Sequence, residues 1–424
     1  MFDHLLRIAD EIRGGLQETL AVGIKQSFIQ GALLEVDSYW YRCSVLKESG
    51  YWGAIPLLYL TDHFDPVRWA QFMATFGNFK LDWSYRPPRW QEHCESMGYW
   101  SEKVESLEPI VIRVLLRDPK EVASIKASGP AAPDISYIIE PEGGAFAQFS
   151  QMYLPRNYLG YPIVYEIRPS AVATSAFTNF FERILPWTGK STRSEAVGVG
   201  RSNPNTLGTA GGRLIDPRTG KSYVLSCAHV MGLNGTPVFS PGGGGGRHIG
   251  NVLFSSISPL NLSNTVCHPE MAPDAGRLDI AVAELPSDNS ATADDLDRIK
   301  LISDLQRFQN VTFTGRISGK VEARMNALAI WQELKTPDFG DGPAGWRCFG
   351  GIFELMSPKG DKSQIADHGD SGAWVVDEFG GLKGWIGVLI GKQGTRAYGC
   401  FAQHILKALQ GNPAFPDGLI LPLH

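Results

Sequence analysis

At 424 residues the chain has room for two or three domains, and with 43% hydrophobic and 20% charged residues it can bury a sizeable core. A net charge of −5 with no basic block argues against a nucleic-acid partner. No window approaches the roughly 18 apolar residues of a membrane span, so no membrane partner is expected. The N-terminal MFDHLLRIADEIRGG carries Asp3, Arg7, Asp10, Glu11 and Arg13 where a secretion signal needs an apolar run. Six cysteines are scattered without a CxxC pair, which predicts reduced thiols, a cytoplasmic setting, no zinc site and no cofactor.

Ile8, Ile12, Leu16, Leu20 and Ile24 recur every four residues, one stripe of an amphipathic helix. Gly14 and Gly15 interrupt it, at about 1 kcal/mol each relative to alanine. Strand-like runs follow at 54–60, 109–116, 135–139 and 162–168, with helical candidates at 119–128 and 170–185. Seven of the eleven tryptophans precede residue 190, which argues for a real core in that half. The reading is an α+β N-terminal domain over 1–188. The stretch 185–208, rich in Gly, Ser, Thr and Asn, reads as a linker entering a short strand near Ala196–Val199.

From 189 to 424 the texture is short apolar runs broken by glycine and proline turns, the pattern of an all-β sandwich or barrel. The run Gly242–Gly246 predicts a surface hairpin, because a phosphate loop would continue into Lys-Ser/Thr and a helix, whereas Arg247-His248 leads into another strand. His248 and His268 are expected in solvated loops.

Three segments carry chemistry: YVLSCAHVMG (223–232), GRLDIAVAEL (276–285) and DHGDSGAWVV (367–376). A hydroxyl at its ordinary pKa is a poor nucleophile; it needs an imidazole to take its proton and a carboxylate to hold that imidazole in one tautomer. His229, Asp279 and Ser371 supply these groups in the order His, Asp, Ser, separated by 50 and 92 residues. Each piece alone is weak, since a lone His after an apolar strand is more often structural and an Asp before a strand is often a cap. The three together, with Gly-Asp-Ser-Gly around the serine, are specific. Gly369 lets its own N–H and that of Ser371, either side of Asp370, point at one spot as an oxyanion hole.

These segments resemble the His, Asp and Ser motifs of chymotrypsin-type serine proteases. Further segments at 206–230, 241–252, 311–325 and 384–391 resemble intracellular trypsin-like peptidases of the NARROW LEAF 1 type. The resemblance covers roughly 195–410 and implies an all-β double-barrel chymotrypsin-like protease domain with its site between the barrels. It also implies a primary pocket lined by Ile365 and Ala366 on one side and Ile390, Gly391 and Lys392 on the other, with His368 near the cleft. With no carboxylate at the base, unless Asp367 slips there, the expectation is a preference for small or apolar residues.

Two departures stand out. Val230 occupies the place of the disulfide cysteine that follows the His in secreted trypsins. No Ile-Val-Gly-Gly start is present, although Ala196-Val197-Gly198-Val199 faintly echoes one, so the partner of Asp370 is open. The expected function is intracellular endopeptidase action on a protein substrate, with a latent or non-catalytic protease-fold scaffold as the alternative. An α/β-hydrolase esterase would need GxSxG, and Ala373 breaks that motif. The N-terminal domain carries no recognised motif and would recruit a partner, cover the cleft as an inhibitor, or extend the structure.

Overall fold

The computed structural model describes residues 2–23, 29–36, 110–117, 157–159, 161–173, 198–201, 207–240, 246–261, 278–286, 296–338, 343–358, 364–379 and 382–421. The chain divides into two compact units, Glu11–Arg168 and Met1–Asp10 with Pro169–His424. The boundary expected at 188/189 lies outside the described residues. So do the strands expected at 54–60 and 135–139, the helix expected at 119–128, His268 and most of the glycine run.

Helix α1 (Phe2–Gly23) buries Phe2, Leu5, Ile8, Ile12, Leu16 and Leu20, one stripe at three- and four-residue spacing. Gly15 does more there than weaken the helix, because a Cβ would sit 2.0 Å from the Tyr158 hydroxyl oxygen. In the smaller unit β1 (Ile29–Val36) pairs antiparallel with β2 (Ile110–Arg117), and β2 pairs parallel with β4 (Tyr161–Arg168). The two-residue β3 (Asn157–Tyr158) flanks β4. The Gln30 amide donates to Leu116 O at 3.0 Å and to Arg168 O at 2.8 Å, tying three strands together. Arg113 and Glu35 form a buried ion pair across β1 and β2.

The larger unit is mostly β. It begins with β5 (Val172–Ala173), where the helix expected over 170–185 does not start: Pro169 cannot extend a helix backward, and Val172 and Ala173 pair with two strands. Residues 174–185 lie outside the described residues. Seven strands make the first sheet: β6 (Gly198–Gly200), β7 (Leu207–Thr209), β8 (Gly212–Ile215), β9 (Ser222–Ser226), β10 (Pro237–Ser240), β11 (Arg247–Ser256) and β12 (Ile280–Glu284). The order is β7-β6-β10-β11-β12-β9-β8. Its two edge strands, β7 and β8, are successive pieces of one stretch, so the sheet wraps back on itself. The strand expected near Ala196–Val199 is β6, and His248 lies on β11 rather than in a loop, exposed and against the Phe239 ring.

Six later strands form a closed ring: β14 (Asn310–Gly315), β15 (Gly319–Thr336), β17 (Ile352–Met356), β18 (Trp374–Phe379), β19 (Leu382–Gln393) and β20 (Arg396–Phe401). The order β14-β18-β19-β20-β17-β15 returns to β14 through a β14–β15 hairpin. The short β13 (Arg298–Ile299) and β16 (Gly345–Phe349) pair with β19 and β15. Trp374 and Trp385 stack at 4.1 Å in the buried interior. Helix α3 (Ala402–Leu409) follows β20, after the single helical turn α2 (Ala228–Met231) earlier in the chain. Phe2 packs edge-on against Phe401. Cys348, on β16, is disulfide-bonded, so the expectation of reduced thiols throughout is corrected; Cys227 and Cys400 are free and buried.

Candidate active site

β9 delivers the first residue. Its apolar run Tyr223–Ser226 pairs with β12, and the chain then turns through α2, which carries His229. Asp279 immediately precedes β12, the partner of β9, so strand pairing brings together two residues 50 positions apart. Asp279 Oδ1 accepts the backbone N–H of His229 at 3.1 Å, and Oδ2 is hydrogen-bonded to His229 Nδ1. Both side chains are fully buried. This two-point hold fixes the ring and leaves Nε2 facing away from Asp279. Nε2 is buried without a hydrogen-bond partner.

Two free thiols flank the pair. Cys227 Sγ donates to Leu389 O at 3.2 Å. Burial pushes the Cys400 thiol up to about 12 and the Cys227 thiol well above its ordinary value, so both stay neutral. Cys227, His229 and Asp279 present ligand atoms within 4.8 Å of one another, the spacing of a metal site. The Cys227 thiol is engaged by Leu389 O and both Asp279 oxygens by His229.

Ser371 follows a tight turn in which Gly369 (φ 105°) and Gly372 (φ 96°) adopt backbone that L side chains rarely take. The turn closes through Asp370 N to Asp367 O and Ala373 N to Asp370 O. The Ser371 hydroxyl donates to Ile390 O at 3.3 Å rather than to His229 Nε2. Ser371 has no exposed surface.

Thr209, at the end of β7, carries no motif, yet it clamps this turn. Its N–H donates to Ser371 O at 2.8 Å and its hydroxyl to Gly369 O at 2.9 Å. Its own carbonyl accepts the Ser226 hydroxyl at 2.7 Å, from the strand that leads to His229. One threonine thus ties the serine turn to the histidine strand. Nothing in the sequence marks it, because its partners lie 17 to 162 residues away.

Asp370 also has its answer. Its buried carboxylate accepts from Ile317 N (2.9 Å), Ser318 N (3.1 Å), the Ser318 hydroxyl (2.5 Å) and Asp367 N (2.8 Å). All but the last come from the turn between β14 and β15.

Of the expected pocket residues, Ile365, Ala366, Ile390 and Gly391 are buried and His368 is exposed. Asp367 is tied to Lys392 Nζ at 2.8 Å and accepts the His368 N–H at 2.8 Å. Burial pushes the Asp367 carboxyl up, but the hydrogen bonds from Lys392 and His368 outweigh it and hold the group below its ordinary value.

No family model matches the chain, and no curated protein matches it. Among solved structures it is similar to Thermobifida fusca Protease A, with 14% identity over 52% of this chain and 97% of that one and a TM-score of 0.31. It is similar to a Cellulomonas bogoriensis chymotrypsin, with 14% identity over 49% and 94% and a TM-score of 0.29. It is also similar to the NS6 protease of murine norovirus 1, with 16% identity over 50% and 93% and a TM-score of 0.27.

Proposed function

We propose that this chain is a serine endopeptidase acting on protein substrates through Ser371, His229 and Asp279. The observation that carries the reading is the His229–Asp279 pair, in which a buried carboxylate holds one ring nitrogen and leaves the other unpartnered. In this reading a rotation of the Ser371 side chain away from Ile390 O brings its hydroxyl to Nε2. His229 then takes the proton as Ser371 Oγ attacks the scissile carbonyl. The same proton passes to the leaving amine, and water hydrolyses the acyl-enzyme by the reverse roles. The N–H groups of Gly369 and Ser371 bind the oxyanion; losing one such donor typically costs about 10²–10³ in rate.

The wrapped sheet and the closed ring are, on this reading, the two barrels of a chymotrypsin-like fold, and the unit Glu11–Arg168 belongs to the α+β N-terminal domain. The likeness to the NARROW LEAF 1 type rests on the sequence segments alone. A cytoplasmic setting belongs to this reading as an expectation, and the Cys348 disulfide weighs against it. A latent protease-fold scaffold is the second reading, favoured by the zero exposure of Ser371 and His229.

Labelling of the full-length protein with a fluorophosphonate probe, beside Ser371→Ala and His229→Ala, tests the proposal. Wild type alone should label. Absence of labelling in a folded wild type favours the scaffold.

A further inference from the structure

One edge of β19 near the serine is paired with β20, through Gly391↔Tyr398, Lys392↔Ala397 and Gln393↔Arg396. Its other edge changes partner along its length. Up to Leu389 it is held by the serine turn and β18: Gly372 N donates to Leu389 O at 2.8 Å, and Leu389 N to Ala373 O at 2.9 Å. Past Ile390 the partner is β5, antiparallel, with Ala173 opposite Gly391 and Val172 opposite Lys392. Between the two lies Ile390, whose carbonyl accepts the Ser371 hydroxyl.

An extended peptide that brings a carbonyl to Ser371 by strand addition must run along this edge. It would add antiparallel to β19, with its N-terminal residues toward Gln393. The chain's own Val172–Ala173 has that direction and that register. The segment is well fastened. Gln393 Nε2 donates to Pro169 O at 2.9 Å, Lys335 N donates to Ala171 O at 2.9 Å, and Val172 also pairs with Lys335 of β15. Gly391 admits the close approach, since a Cβ there would lie 2.8 Å from Val172 O. Ala171 and Ala173 are buried.

We infer that β5 is an intramolecular occupant of the substrate-binding edge: the resting chain holds 170–173 where the residues preceding the cleaved bond of a substrate would pair. A protein substrate enters by displacing it. This inference rests on the reading of Ser371 as the nucleophile.

The test uses the full-length wild type, Ala173→Pro, which removes a strand N–H and cannot pair as before, and Gln393→Ala, which cuts the anchor to Pro169 without altering β5. Each is checked for a cooperative melt. Substrates are p-nitrophenyl acetate, which needs no strand pairing, and peptide p-nitroanilides of one to four residues. Hydrolysis by a Ser371→Ala protein is subtracted. In wild type kcat/KM should stay flat as the peptide lengthens, while in a folded variant it should rise by about tenfold or more from one residue to four. Ester hydrolysis should change little. A wild type that already gains with length as steeply as the variants overturns the occupancy and leaves the nucleophile in place. No reaction at Ser371 with ester or fluorophosphonate in any folded form sinks the nucleophile reading, and the occupancy with it.

Discussion

At the scale of single residues, the pocket turns on where one carboxylate goes. Asp367 follows Ala366 of the proposed pocket wall, and Lys392 already holds it. Because its pKa is depressed in the folded chain, the pair contributes above the unfolded carboxylate value of about 3.9 and is lost as pH falls through the lower folded value. At neutral pH the pair is therefore intact, and in the proposed pocket the buried Ile365 and Ala366 leave an apolar wall. A panel of fluorogenic peptides at pH 7 should run faster after small or apolar residues than after Arg, and fastest cleavage after Arg would overturn this. Lys392→Ala frees Asp367 and should raise the relative rate after Arg. His229, Asp279 and Ser371 were legible as candidates because Gly-Asp-Ser-Gly and the Asp-Ile-Ala strand start leave few alternative chemistries, and the structure bonds the first two to each other. Thr209 was not legible, because its backbone and hydroxyl meet partners 17 to 162 residues away and no local motif surrounds it.

At the scale of elements, the turn of the β14–β15 hairpin holds the Asp370 carboxylate. It supplies three of the four hydrogen bonds to Asp370, the residue before the serine. None of the four donors is an amine. Activity should therefore show no alkaline loss from deprotonation of an α-amino group, which titrates near about 8, and N-terminal acetylation should leave it unchanged. Ser318→Ala removes the 2.5 Å hydroxyl bond from a buried carboxylate, a loss of about 1.5–3 kcal/mol for a bond to a charged group. It should lower kcat more than it raises KM, because it loosens the turn that carries the proposed oxyanion hole rather than the proposed pocket. Ser318→Thr, which keeps the hydroxyl, should restore most of the rate. Equal kcat in wild type and Ser318→Ala would refute the role. The partner of Asp370 is not legible in the sequence, because a hairpin turn 52 residues away is invisible to local pattern. The short β5 departs from the helix expected there for a related reason: only its two strand partners, distant in sequence, make it β.

At the scale of the whole molecule, the N-terminus belongs partly to the body that holds the site. Residues Met1–Asp10 cluster with Pro169–His424, and the fully buried Phe2 packs on Phe401, the last residue of β20. Phe2→Ala should cost up to about 3 kcal/mol, a fall of about 2–4 °C in Tm per kcal/mol for a unit of this size, read by calorimetry. An unchanged melt would show that the first turn of α1 adds nothing. A fragment starting at 190 loses both Phe2 and β5. Faster cleavage by that fragment would therefore not by itself identify the unit Glu11–Arg168 as an inhibitor, whereas the point variants in β5 separate the two effects.

By itself the sequence determined the His, Asp and Ser motifs, their order, and the mostly β texture of the described residues from 198 on, because these depend on local pattern: strand periodicity, glycine turns and short motifs. It also determined the amphipathic face of α1. Tertiary structure decided what each of these groups touches. It set Asp279 against both the Nδ1 and the backbone N–H of His229, hung Asp370 on a distant hairpin turn, and clamped the serine turn with Thr209. It also laid Val172–Ala173 along the edge of β19. Each of these rests on backbone hydrogen bonds between strands far apart in the chain, and such bonds carry no side-chain signature.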